Sequence, residues 1–131
     1  MRDYKSKQVV SLRMSPNKKL VERYFGTTER SRRAPLLAEN VEWIEWGDGV
    51  PIGGVRHVGK TAYLQNYGDD APRAEIHRMT EEGNVVVAEG TARVPKKDGT
   101  VLTVRFVDIF ELENGRIVKK SSFGALLKDS P

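Results

Sequence analysis

One aspartate stands where the chain's pattern calls for an apolar side chain. In "VLTVRFVDIFELENGRI", residues 101–117, strand side chains alternate between two faces. Leu102, Val104, Phe106, Asp108, Phe110 and Leu112 share one face. Val101, Thr103, Arg105, Val107, Ile109 and Glu111 share the other, and Thr103, Arg105 and Glu111 mark it as the wetter one. Asp108 thus falls on the drier face, between Phe106 and Phe110. A buried ionised carboxylate is costly unless it is paired, and it often takes up a proton instead. Two readings stay open. Asp108 is a structural residue that ties down a loop or caps a backbone N–H, or it is a functional acid in an apolar pocket.

Other residues could join it. In "NVEWIEW", Val41, Trp43 and Glu45 share one face and Glu42, Ile44 and Trp46 the other. Glu45 is then a second acid on an apolar stripe, although a solvent-facing Glu45 fits the pattern equally well. Tyr24 lies on the core side of an amphipathic helix, where a tyrosine either packs with its hydroxyl satisfied or offers that hydroxyl to a ligand. Glu89 shares a face with Val85 and Val87, lining the interior or facing a partner copy. His57, in a glycine-rich loop, and His77, on a strand, read as surface or hydrogen-bonded histidines.

The elements that must position these residues follow from the punctuation of the chain. Ser15 and Pro16 form a strong helix start, and Leu20, Val21, Tyr24 and Phe25 follow at helical spacing, predicting a helix over 16–31. Residues 1–14 are expected to be a flexible N-terminal extension, with one domain over 15–131. "SRRAPLLAE" predicts a second short helix, 41–46 a strand, "GDGVPIGGVRHVG" a loop and "KTAYLQNYG" a third helix. The loop has neither the spacing nor the setting of a phosphate-binding loop. Strands are expected at 74–81, 84–94, 101–112 and 116–123, with turns at "EEGN", "PKKDGT" and "ENG". The order α-α-β-α-β-β-β-β is an α+β class. It predicts a curved antiparallel sheet forming a cone over three helices, whose open end is a natural apolar pocket.

Composition narrows the chemistry. The 131 residues suggest a single domain able to bury one core. No cysteine is present, so there is no disulfide, thiol nucleophile or cysteine metal site. With only two histidines, a histidine metal cluster is not expected, nor is any cofactor. The net charge is +4, but the basic residues are scattered, with Arg30, Arg32 and Arg33 the densest group, and no basic face carries interleaved aromatics. A solvated surface, not a nucleic-acid footprint, is expected. No apolar run reaches membrane-spanning length, so no membrane partner is expected and a cytoplasmic location is the default.

The order of elements resembles the nuclear-transport-factor-2-like superfamily, which includes ketosteroid isomerases and SnoaL-like polyketide cyclases; the architecture is the cystatin-like cone. The likeness covers about residues 16–123 and rests on "ERYF", "LLAENVEWIEW", "GKTAYLQNY" and "VDIFELENGRI". The detail is nearest to ketosteroid isomerase, which works with an aspartate base and an oxyanion hole of a tyrosine and a protonated aspartate. The resemblance implies Tyr24, in the pair Arg23-Tyr24, as the oxyanion tyrosine. It implies Asp108 as the protonated aspartate, Glu45 as the base and Tyr67 as a tyrosine supporting Tyr24. Glu45 departs from the pattern: one methylene longer than aspartate, it shifts the carboxylate by about a bond length, enough to cost roughly a hundredfold in rate.

Other chemistries of the superfamily fit less well. The limonene-epoxide-hydrolase type places an arginine two residues before its strand aspartate, whereas Arg105 is three before Asp108 and points to the other face. The scytalone-dehydratase type relies on two pocket histidines. The resemblance thus implies proton abstraction next to a carbonyl, of isomerase or cyclase type, on a small apolar or polycyclic carbonyl ligand. Trp43, Phe106, Phe110 and Phe123 would line the cavity beside Tyr67. The alternative is a non-catalytic ligand-binding or assembly module. The apolar residues Val101, Val107 and Ile109 on the second sheet face predict a homodimer through that face, with Arg105 at or near the interface.

Overall fold

The structure, a computed structural model, describes residues 14–65 and 73–127. Helix α1, Pro16–Gly26, starts as the sequence predicts: Ser15 caps it by accepting from the Lys18 amide at 3.1 Å, and Pro16 opens the first turn. It ends five residues early because Gly26 is followed by Thr27 in an extended conformation. Its buried face is Leu20, Val21 and Tyr24. The expected second helix divides into α2, Arg30–Arg33, and a 3₁₀ turn, Ala34–Leu36, in which Pro35 withholds an amide hydrogen.

Strand β1, Leu37–Gly47, begins four residues before the predicted strand. Within the expected loop, Val55–Val58 forms a short edge strand, β2, antiparallel to β1. Helix α3 is Lys60–Gln65. The remaining strands are β3, Arg73–Glu82; β4, Val85–Pro95; β5, Val101–Glu113; and β6, Arg116–Leu126. The β5–β6 turn is Asn114-Gly115, both at positive φ (51° and 72°), as a tight hairpin matched to strand twist requires.

The sheet is six-stranded, curved and unclosed, in the order β2-β1-β6-β5-β4-β3. It is antiparallel throughout except between β1 and β6, which run parallel. Helices α1 and α3 cover its concave face. The core between them holds Val21, Tyr24, Leu37, Val41, Tyr63, Val86, Phe110 and Ile117, each essentially without solvent exposure. The α+β cone predicted from the order of elements is the fold, with β2 added to it.

One irregularity matters for the site. Glu111 and Leu112 of β5 face Lys119 and Ile117 of β6, so Val118 is an extra residue, a β-bulge. A bulge reverses the alternation beyond it. Ile117 faces the core, and from Lys120 onward it is the even-numbered residues that face inward.

Candidate functional site

The concave face is built of rows that cross the strands. One row is His57, Trp43, Lys120, Phe110 and Val86, on β2, β1, β6, β5 and β4. Lys120 is only 2% exposed. Its ammonium donates to the Tyr24 hydroxyl at 2.9 Å and lies 4.7 to 5.5 Å from the ring centroids of Trp43, Tyr24 and Tyr63. Cation–π attraction and that charge-assisted bond repay its desolvation. The Tyr24 and Tyr63 hydroxyls are 2.5 Å apart and share a hydrogen bond, linking α1 to α3. Arg33, from the predicted surface cluster, is buried instead: its guanidinium stacks 4.5 Å from the Tyr24 ring centroid and its Nε donates to the Thr27 carbonyl at 2.7 Å.

The next row is Glu45, Ser122, Asp108, Ala88 and Met79. Asp108 is 6% exposed, with Phe106 and Phe110 before and after it on its own face. Burial pushes its carboxyl pKa up; Lys120, the Ser122 hydroxyl and Arg33 pull the other way and only partly offset it. Ser122 also accepts from the Trp43 indole at 3.0 Å. A serine hydroxyl can accept from one group and donate to another, so Trp43, Ser122 and Asp108 form a connected polar path.

Glu45 closes this row at its wetter end. Its side chain is 33% exposed, and its carboxylate is 2.8 Å from His57 Nε2. The His57 ring lies 4.6 Å from Trp43, centroid to centroid. Trp43 therefore holds the imidazole, and the imidazole aims the carboxylate. With two strand spacings between them, the Glu45 and Asp108 backbones are about 10 Å apart, with Ser122 between.

The structure brings Tyr24, Trp43 and Phe110 into one packed cluster, with Asp108 in the adjoining row. Phe106 lies on the same face, its ring packed on Phe25 and across Gly90. Glu45 is on the Trp43 face at the edge of the cluster. Tyr67 lies outside the described residues. Phe123 does not line the interior: the bulge at Val118 turns it to the outer face, where it is 42% exposed and stacks on Trp46. Glu89 also faces outward, paired with Arg78. Sequence reasoning missed Lys120, Ser122, Arg33, Tyr63 and the role of His57. For His57 the sequence held no signal: "VRHV" does not alternate, and only the pairing of β2 with β1 places the histidine opposite Trp43. Among the described residues, no three His, Asp or Glu side chains gather as metal ligands, and no helix is long and apolar enough to cross a membrane.

The geometry can be set beside known proteins. The SnoaL-like domain family matches residues 20–120. No curated protein matches the chain in sequence. Among solved structures, an NTF2-like protein from Burkholderia pseudomallei is 25% identical, with a TM-score of 0.68, covering 83% of this chain and 90% of its own. TerC, co-crystallised with polyporic acid, is 20% identical with a TM-score of 0.70, covering 82% of this chain and 90% of its own. An LEH-like epoxide hydrolase from M. tuberculosis is 15% identical with a TM-score of 0.69, covering 84% and 83%. The last two likenesses speak for the fold alone.

Proposed function

The chain belongs to the SnoaL-like domain family, a group on the NTF2-like fold, and from that premise we propose that it is a small-molecule enzyme which removes a proton next to a carbonyl. The observation that supports this most is the row Glu45–Ser122–Asp108, with the Tyr24 hydroxyl held by Lys120 of the adjoining row. A base stands at the exposed end and hydrogen-bond donors at the buried end. Glu45 takes the proton. The enolate oxygen that forms accepts from the Tyr24 hydroxyl and from protonated Asp108, which donates because burial favours its neutral form. Donors fixed in a dry site stabilise the developing charge without reorganising. The ligand is a small apolar carbonyl compound seated against Trp43, Phe106 and Phe110. That TerC was co-crystallised with polyporic acid supports a small-ligand site on this scaffold.

The test is deuterium wash-in at the α-carbons of 2-tetralone, followed by NMR. Wild type should accelerate exchange, and Glu45→Gln should lose the acceleration while still binding the ketone. Equal exchange by both proteins refutes the base assignment. A binding module without catalysis is the second reading, favoured by the engagement of Glu45 with His57. It predicts ketone binding with no exchange by wild type.

Assembly completes the proposal. On the outer face Trp46, Phe123 and Val107 are neighbours in register, and Ile44 and Ile109 lie in the next row. Trp46 and Phe123 are exposed. A homodimer that pairs these faces, with Arg105 at its margin, covers them.

A further inference from the structure

Strands β1 and β6 run out at the same end of the sheet, Gly47 beside Gly124, where β5 begins and β4 ends. Three segments project from that end: the loop 48–54, the last residues of β6, and the β4–β5 hairpin around Lys96 and Lys97. Among the described residues seven large apolar side chains are exposed. Four of them, Ile52, Val101, Leu126 and Leu127, stand on these three segments. We propose that the three segments form one docking strip for the surface of an anionic lipid bilayer. The aliphatic side chains enter the headgroup layer, and the cations of the hairpin meet the negative headgroups.

Backbone contacts tie the segments together. Ile52, wholly exposed, sits in a loop shaped by two turns: the Val50 amide donates to the Gly47 carbonyl at 3.1 Å and the Gly54 amide to the Pro51 carbonyl at 2.9 Å. The loop is clamped to β6, because the Asp48 amide donates to the Gly124 carbonyl and the Leu126 amide to the Asp48 carboxylate, each at 3.0 Å. The Leu127 amide in turn donates to the Thr103 carbonyl at 2.9 Å, and Val101 pairs with Pro95 at the hairpin. Apolar side chains already held out in water gain by entering an apolar layer, and a chain already ordered has little further ordering to do. Charge selects the surface. Residues 93–100 carry Arg93, Lys96 and Lys97, all exposed, against Asp98 alone. The Asp98 carboxylate is turned onto its own hairpin, accepting from the Thr100 amide at 2.9 Å and the Thr100 hydroxyl at 2.6 Å. The whole chain has the same sign, at +4. A protein partner fits this strip less well. Protein interfaces concentrate aromatic residues and deplete lysine, whereas these segments offer aliphatic side chains beside a lysine pair. The aromatic pair Trp46–Phe123 lies on the outer face, in the pairing of copies proposed above. The contact is superficial, since no described helix is long and apolar enough to cross a membrane. Glu45 lies two residues before Gly47, so docking sets that end of its row near the phase in which an apolar carbonyl compound concentrates.

The test is flotation of the full chain with vesicles, which does not depend on the proton-abstraction reading. Wild type should float with mixed phosphatidylcholine–phosphatidylserine vesicles and much less with phosphatidylcholine alone. Added salt should weaken the binding, as it screens exposed charge. Ile52→Ser should lower the partition coefficient about tenfold, the scale of withdrawing one aliphatic side chain from an apolar layer. Lys96→Gln together with Lys97→Gln should lower it by about fivefold for each lysine and flatten the salt dependence. Ile52, Lys96 and Lys97 are exposed, so melting temperatures should match wild type and loss of fold would not mimic loss of binding. Failure of wild type to float with the mixed vesicles overturns the proposal. So does equal flotation with phosphatidylcholine alone, or wild-type flotation by either variant. A fall in mass of Ile52→Ser in sedimentation equilibrium, relative to wild type, would also overturn it by making the strip a contact between copies.

Discussion

Asp108→Asn separates two opposed forces on one buried carboxyl. Desolvation raises its pKa, while Lys120, Ser122 and Arg33 lower it, and desolvation wins. In the unfolded chain the carboxyl titrates near about 3.9. Between that value and the higher folded value, the native state holds a proton that the unfolded state has released. Stability therefore falls as pH rises through this window. It is fully present below pH ~4 and lost once the folded carboxyl ionises. One proton gives a slope of about −1.4 kcal/mol per pH unit inside the window and no slope outside it. Asparagine keeps the size of the side chain and removes the titration. The difference in unfolding free energy, wild type minus Asp108→Asn, should thus decline with pH in that window. Urea unfolding from pH 3.5 to 8 measures it, provided the two proteins share one denaturant slope. A difference that rises with pH would mean that the two cations hold the carboxylate ionised. The donor role assigned to Asp108 would then be wrong, and Lys120 would be spent on an ion pair.

Three further outcomes follow from the same contacts. Tyr24→Phe removes the acceptor of the Lys120 ammonium and a partner of Tyr63; it should cost roughly 1–3 kcal/mol in urea unfolding and slow ketone wash-in by about a hundredfold or more. Ser15→Ala removes the cap on α1 and should cost about 1 kcal/mol, seen as a lower melting temperature with wash-in unchanged. Val107→Asp, on the outer sheet face, should convert the proposed dimer to a species of 14.7 kDa in sedimentation equilibrium, and wild type already at that mass would sink the assembly.

The fold was largely readable because its signals are local. Ser15-Pro16 starts a helix, Asn114-Gly115 turns a hairpin, and long alternating runs between turn residues make strands. Asp108 was readable for the same reason: β5 keeps strict alternation from Phe106 to Phe110, so one polar residue stands out. β2 was hidden because four residues among five glycines carry little pattern, and its pairing with β1 is a tertiary event. Arg33 was hidden by its neighbours. Three arginines within four residues look like a solvated run, and only the turn from α2 into the 3₁₀ segment lays one of them on Tyr24.

Lys120 and Phe123 both defy simple alternation along β6, through one residue. Alternation counted from the buried Ile117 puts 119, 121 and 123 inside, which sends Phe123 to the interior and Lys120 to solvent. That count also satisfies hydrophobicity, since it buries a phenylalanine and exposes a lysine. The bulge at Val118 inverts both. Nothing about Val118 announces a bulge, because the irregularity lies in the pairing of β6 with β5 and β1 and not in any side chain. The inversion is unfavourable for each residue alone: it desolvates an ammonium and exposes a ring. It holds because the interior offers Lys120 three aromatic faces and a phenolic oxygen, and the outer face offers Phe123 the ring of Trp46. A residue buried against its preference, in an environment shaped to hold its charge, is where a functional role is expected.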